Sequence, residues 1–242
     1  MVHDARVSEI LSLVVADGGQ DASLPVRLSV RCLSALPVSG VGVALMTDDG
    51  PSGVVLAATD GRARHLEELQ FALGEGPCVE ASRSGRPVLQ PDLLATGPAR
   101  WPGFAAAALD ARISAIFAFP LQVGAIRVGV LDLYRDTPGQ LETAELADAL
   151  AFADAATVVV LHLQDTDGSG GHPALAGPID SRAEIHQATG MIAVQLGVGL
   201  AEALLRLRAH AYAGGRPVAD VAADVVNRRL RFDDSASGGE RQ

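Results

Sequence analysis

The chain has 242 residues, a formal net charge of −10 and an apolar fraction of 48%, enough for one large core or two modest ones. All 19 basic residues are arginine, and the missing lysine excludes the P-loop lysine, the kinase strand lysine, a cofactor Schiff base and the usual receiver domain. Cys32 and Cys78, the only cysteines, allow no disulfide framework and no CxxC metal spacing. No run approaches the roughly 20 apolar residues of a membrane-spanning helix. The opening MVHDARVSEI lacks the pattern of a signal peptide, so a cytoplasmic location is expected.

Taken in order, Val7, Ile10, Leu11 and Val14 recur at helical spacing in an N-terminal extension, 1–21. Leu24, Leu28 and Cys32 repeat that pattern over 22–36. Strand-like runs follow at 40–46 (GVGVALM) and 53–58 (GVVLAA), and a later pair, 113–121 and 126–134, is joined by the hairpin turn QVGA. Runs this apolar suit strands covered on both faces, or one face over an internal cavity. A long helix is expected over 141–164, with Leu146, Leu150, Ala153, Thr157, Val160 and Leu161 on one stripe. Helices, an antiparallel meander and a closing helix make an α+β layout.

Residues 165–178, DTDGSGGHPALAGP, are rich in glycine and proline and read as a linker. Beyond it, Ser181 and Glu184 stand at capping-box spacing and open a helix to about Leu196. A second helix covers 198–212 with Ala203, Leu204, Leu207 and Ala211 inward, ended by Gly214 and Gly215. Pro217 suits the first turn of a third, carrying Val218, Val221, Ala222, Val225 and Val226. The three form a unit over 179–232, near the lower size limit for independent folding, and 233–242 is expected to be a disordered tail. From Ile179 to Phe232 seven arginines face five acidic residues, about +2, so the remainder carries about −12.

Residues 22–164 resemble a GAF domain, on LGEGPCVEA (73–81), VLQPDL (88–93), RWPGF (100–104), ISAIFAFPL (113–121) and GVLDLY (129–134), in that order. Residues 181–232 resemble an ANTAR domain, on RAEIHQATGMI (182–192), AEALLRLRAHA (201–211) and RPVADVAADVV (216–226). The resemblance implies a GAF-type antiparallel sheet with flanking helices, followed by a small three-helix ANTAR domain. It further implies a sensor controlling an output that binds paired hairpins in nascent RNA and prevents transcription termination. ANTAR domains commonly place lysine before the glycine, where Thr189 stands here.

LGEGPCVEA is not a phosphate loop, because it lacks the lysine and its Glu75 would repel an anion. Cys78 as a nucleophile needs a base, and none of His3, His65, His162, His172, His186 and His210 forms a signature with it. Bilin-attaching GAF domains usually follow the cysteine with histidine, whereas Val79 follows here, and sulfoxide-reducing GAF enzymes need several cysteines. Cys78 is therefore read as a small buried hydrophobe, with Gly74 and Gly76 bending the chain and Pro77 fixing a loop beside a cavity. Gly74, Gly76, Cys78, Asp92 and Trp101 are the expected ligand-binding residues. Asp92 and Asp132 read as an acid–base or metal pair, or as a cap and a strand residue, the structural reading being favoured. Trp101 is a lid over ligand or a plug over core.

In the second unit, Arg182, Gln187, Gly190, Arg208, Tyr212, Arg216, Arg228 and Arg229 are the expected RNA-binding residues, with Arg206, Arg231 and the His210 ring nearby. Arg228, Arg229 and Arg231 are expected to face few acids, and Gly190 to leave room for a close backbone. The expected partners are RNA, an unidentified small molecule and a second copy of the chain. No catalytic residue, metal or cofactor is expected. The alternatives are a catalytic GAF protein, acting as a cysteine-based reductase or metal-dependent hydrolase, and a dimerisation module that binds no RNA.

Overall fold

The computed structural model describes residues 2–17, 22–47, 50–167 and 173–232, with backbone alone at 47, 50–53, 164–167, 173–183 and 201. Two units divide at Pro178/Ile179. The first begins with helices α1 (Val2–Ala16) and α2 (Leu24–Ala35) and the hairpin of β1 (Gly40–Thr47) and β2 (Gly50–Ala58). Helices α3 (Gly61–Leu73) and α4 (Pro77–Ser84), the short strand β3 (Val88–Gln90), and helices α5 (Leu93–Arg100) and α6 (Pro102–Asp110) follow. The hairpin of β4 (Ala115–Val123) and β5 (Ile126–Arg135), then α7 (Thr143–Asp167), complete it. The sheet order is β2-β1-β5-β4-β3 and each neighbouring pair is antiparallel, so β1 lies beside β5 and the expected meander is replaced by a crossover.

Strand alternation sends side chains to two separate cores. Val41, Val43, Phe117, Phe119, Leu131 and Leu133 meet α1, α2 and α7 on one face. Met46, Ile116, Ala118, Val130 and Tyr134 meet α3 to α6 on the other. The sheet is thus covered on both sides. Helix α7 is long and apolar enough over Thr143–Leu163 to cross a bilayer by length and composition, which corrects the sequence reading, and 56% of that window is buried within the protein. Its alanines (Ala149, Ala151, Ala155, Ala156) are small enough to bring the helix close to the sheet, which is why no dense run of large residues announces it.

The face toward α3 to α6 depends on what β1 lacks. Register places Gly40 opposite Tyr134 and Gly42 opposite Asp132. A Cβ on Gly40 would fall on the Tyr134 ring, 2.5 Å from its hydroxyl oxygen, and one on Gly42 would fall on the Glu67 carboxylate, 3.0 Å from its Cδ. The glycines therefore leave the space in which a tyrosine and a glutamate lie against the sheet.

Four helices between β2 and β4 are absent from the sequence expectation. Glycine and proline break their periodicity: Pro77 and Pro102 stand in first turns, Pro98 lies inside α5, and Gly74 and Gly85 end α3 and α4 in the left-handed conformation. LGEGPCVEA is accordingly a tight junction between two helices, with Pro77–Ser84 helical, and the loop assignment is corrected.

Helix α8 (Pro173–Leu196) starts in the first unit, and from Ile179 onward it packs with α9 (Leu200–Ala213) and α10 (Val218–Val226), placing Ile185, Ala188, Ile192, Ala203, Leu207, Ala211, Val218, Val221, Ala222 and Val225 in the interior of the second. Leu204 and Val226 are only partly buried. Helix α8 begins at Pro173, so Ser181 lies inside it and is not the expected cap. Of the expected linker, 165–167 end α7 and 173–178 begin α8, while 168–172 lie outside the described residues, as does the expected 233–242 tail. Gly40→Ala should cost about 1–3 kcal/mol, because the Tyr134 ring is hemmed in and an added methyl overpacks it. A urea midpoint that falls while the slope stays constant is the expected measurement.

Candidate functional site

Helix α3 is fixed to the sheet at its start. Asp60 caps it by accepting from the Ala63 amide at 2.7 Å, and its other carboxylate oxygen accepts from the Tyr134 hydroxyl at 2.5 Å. Desolvation and that hydrogen bond both push the Tyr134 hydroxyl up, so it remains a donor. From this anchor α3 runs over β1, and Glu67 and Gln70, one turn apart, come to lie on its sheet-facing side.

There they meet Asp132 and Cys78. Gln70 donates through Nε2 to Asp132 Oδ2 at 2.7 Å and accepts through Oε1 from the Cys78 amide at 2.7 Å. One amide thus joins α3, β5 and the first turn of α4. Glu67, Cys78 and Asp132 each bring one ligand atom to within 4.8 Å of the others, and all three are buried. Glu67 Oε2 and Asp132 Oδ1 have no hydrogen-bond partner. Burial, and for Glu67 the Asp132 charge, raises both carboxyls above the usual carboxylate range. Burial, then Asp132, then Glu67, pushes the Cys78 thiol up, so in this environment the thiol stays protonated and is a poor nucleophile.

Asp132 is therefore paired with Glu67, which the sequence reading did not single out, and not with Asp92. Asp92 is the cap of α5, accepting from the Ala95 amide at 3.1 Å. Trp101 is buried between α5 and α6, edge-on to Phe104 with ring centroids 6.4 Å apart and with the Arg100 guanidinium 4.2 Å over its ring. It is packed as a plug within the core. Arg100 also bonds Gln90 and Glu80, binding the α4, β3 and α5 segments together. Gly74 (φ 64°) and Gly76 (φ 129°) turn the chain from α3 to α4. Glu75 between them accepts from the Gly103 and Phe104 amides at 2.7 and 2.8 Å, capping the start of α6 from a distant loop.

On the second unit Gln187 is exposed and Tyr212 is half exposed at 51%. Asp224 accepts from Arg216 at 2.6 Å and Arg229 at 2.8 Å, so of the three arginines expected to face few acids, Arg229 shares this one with Arg216. Their hydrogen bonds, Arg216 first, hold the Asp224 carboxyl below its ordinary range. His210 packs against Phe232 with ring centroids 5.2 Å apart and is already engaged. Arg206 pairs with Glu202 at 2.7 Å, Arg208 is partly buried, and Arg228 is exposed just past α10. A Cβ on Gly190 would meet nothing within 4 Å, so among the described residues no backbone approaches it. Thr189 is buried and donates to the Ile185 carbonyl at 2.7 Å, which turns it inward. The Arg182 side chain lies outside the described residues.

Replacing Glu75 by alanine leaves two amides of the α6 first turn without their acceptor. A loss of about 1–2 kcal/mol is expected in urea unfolding, largely restored in Glu75→Gln, which retains a carbonyl oxygen.

Residues 28–161 match the family model for the GAF domain, and residues 174–226 the model for the ANTAR domain. Among solved structures, the GAF domain of an Acinetobacter phosphoenolpyruvate-protein phosphotransferase is 12% identical, covering 69% of this chain and 98% of that one at a TM-score of 0.50. The corresponding domain from Coxiella burnetii is 13% identical, covering 68% and 98% at 0.49. The fRMsr of Staphylococcus aureus, in complex with substrate, is 14% identical, covering 65% and 95% at 0.47. At such identities the likeness speaks to fold alone. No curated protein sequence matches the chain. Its five-stranded sheet between helical layers and the match over more than half its length place the chain in the GAF family, with an ANTAR domain following the GAF domain.

Proposed function

We propose that the chain is a signal-responsive regulator whose second unit binds hairpin loops in nascent RNA and prevents transcription termination, under the control of the first. The match of 174–226 to the ANTAR model carries this reading. The charge distribution supports it: a unit of about +2 follows a remainder of about −12, so the acidic part discourages nonspecific attachment while the arginine surface attracts phosphate. The half-exposed Tyr212 ring offers a stacking platform for an unpaired base, with Gln187 as a polar reader. Contact with two hairpins calls for two such units, hence a homodimer working in the cytoplasm. The first unit then acts as a sensor that shifts the population of output-competent dimers, and not as an enzyme. The Cys78 thiol, kept protonated by burial and neighbouring acids, fits that assignment better than a reductase role.

Because Asp224 already holds Arg216 and Arg229, phosphate attraction rests on few cations, and the salt dependence should be shallow. Each neutralised phosphate contributes about 0.7 to 0.9 log units per log unit of salt. In electrophoretic shifts with a two-hairpin RNA, Tyr212→Ala should weaken binding by about 1–3 kcal/mol. Arg228→Ala should weaken it equally for all sequences and flatten the salt slope. Asp224→Asn, which removes the shared counter-charge, should steepen that slope. A wild-type chain that holds no RNA at low salt, with or without cell lysate, would leave the second unit a dimerisation module.

A further inference from the structure

The strongest unassigned feature is the group of two carboxyls and a thiol between α3, α4 and β5. Glu67, Cys78 and Asp132 are buried where an unpaired polar atom is costly, yet Glu67 Oε2 and Asp132 Oδ1 have no partner. Two carboxyl oxygens and a sulfur, all within 4.8 Å of one another, converge with no arginine or histidine among them. Two carboxylates are acceptors only, so their close approach asks for a positive charge between them, either a shared proton or a metal ion.

We propose that Glu67, Cys78 and Asp132 form a binding site for one divalent metal ion of the zinc class, held by one thiolate and two carboxylates. The donor set favours such an ion: a thiolate selects zinc or iron over magnesium and calcium, which take oxygen ligands alone. Oxygen and sulfur ligands of one tetrahedral zinc lie about 3.5 Å apart, so the three side chains close by about an ångström around it.

Binding displaces the Cys78 thiol proton and the carboxyl protons to solvent. The ion with three anionic ligands then carries one net negative charge, which the Gln70 Nε2–H bond to Asp132 moderates. Gln70 is the positioning residue: it fixes Asp132 Oδ2, leaves Oδ1 toward the ion, and holds the first turn of α4 through the Cys78 amide. Gly42, whose missing side chain admits the Glu67 carboxylate, completes the cradle. Three protein ligands leave a fourth position for water or a small incoming ligand, which would make the ion the means by which the first unit detects its signal. This deepens the sensor reading of that unit and does not involve what the second unit binds, and the experiment contains no RNA.

The full chain, expressed with added Zn2+ and dialysed against metal-free buffer, is analysed by elemental mass spectrometry and zinc X-ray absorption. About one zinc per chain with a sulfur scatterer at about 2.3 Å is expected. Refolding with Co2+ should give a thiolate-to-metal charge-transfer band in the near ultraviolet. That band should vanish in Cys78→Ala and persist in Cys32→Ala, whose thiol lies across the sheet. Gln70→Ala should lower affinity about 10- to 100-fold while keeping the band. Less than a tenth of an equivalent of zinc in the folded wild type, a zinc shell without sulfur, or a band that survives Cys78→Ala overturns the proposal and leaves a shared proton between the carboxyls. Should Cys78→Ala fail to fold, the wild-type absorption spectrum decides alone.

Discussion

Two carboxyl groups and a tyrosine lie flat against one face of the sheet because the neighbouring strand has no side chains there. Gly40 and Gly42 alternate with Val41 and Val43 on β1, so one face of that strand is bare at its first two positions, before Met46, while the other is apolar. The bare stretch sets the depth to which α3 approaches. It admits Glu67, leaves Asp132 accessible to Gln70, and lets Tyr134 reach back to Asp60 at the start of the same helix. Filling that space would move α3 outward and separate every group that meets there.

The layers on that side are joined by polar side chains that each perform two tasks. Asp60 caps α3 and anchors it to β5; Gln70 orders Asp132 and the Cys78 amide; Glu75 spans from one helix junction to the start of another helix. Such groups bond to backbone amides that would otherwise be buried without partners, so losing one side chain leaves several orphans at once. The opposite layer has its polar links in Arg6, which reaches Asp148 of α7, and Arg135, which reaches the Pro37 carbonyl and Glu145 of α7. It is held by alanine-rich packing of α7 and by aliphatic contact with α1 and α2.

Legibility in the sequence followed the same division. The strands at 40–46 and 126–134, the long helix and the three C-terminal helices announce themselves by periodicity, and the structure has them within a few residues of the expected limits, save that α8 begins at Pro173, well before Ser181. The region from 61 to 110 does not. Its helices are short, entered through proline and closed by glycine, so the signals that mark loops elsewhere mark helix ends here. The acid cluster was hidden for a different reason. Glu67 and Gln70 occur in an ordinary polar helical stretch, and only the long-range register that sets Gly42 beside Asp132 shows that this stretch faces inward. Asp92 was readable because a cap is local. The sharing of Asp224 by Arg216 and Arg229 was not, since it depends on how the chain turns before and after α10.

The two cysteines lie on opposite sides of the sheet, Cys32 beneath α2 and Cys78 at the head of α4, and both are buried. Each helical layer therefore carries one sequestered thiol. A reagent that alkylates thiols would acquire, without any engineered label, a separate clock for the loosening of each layer. Motion confined to the α3–α6 side would modify Cys78 and spare Cys32. Cooperative unfolding would modify both at one rate.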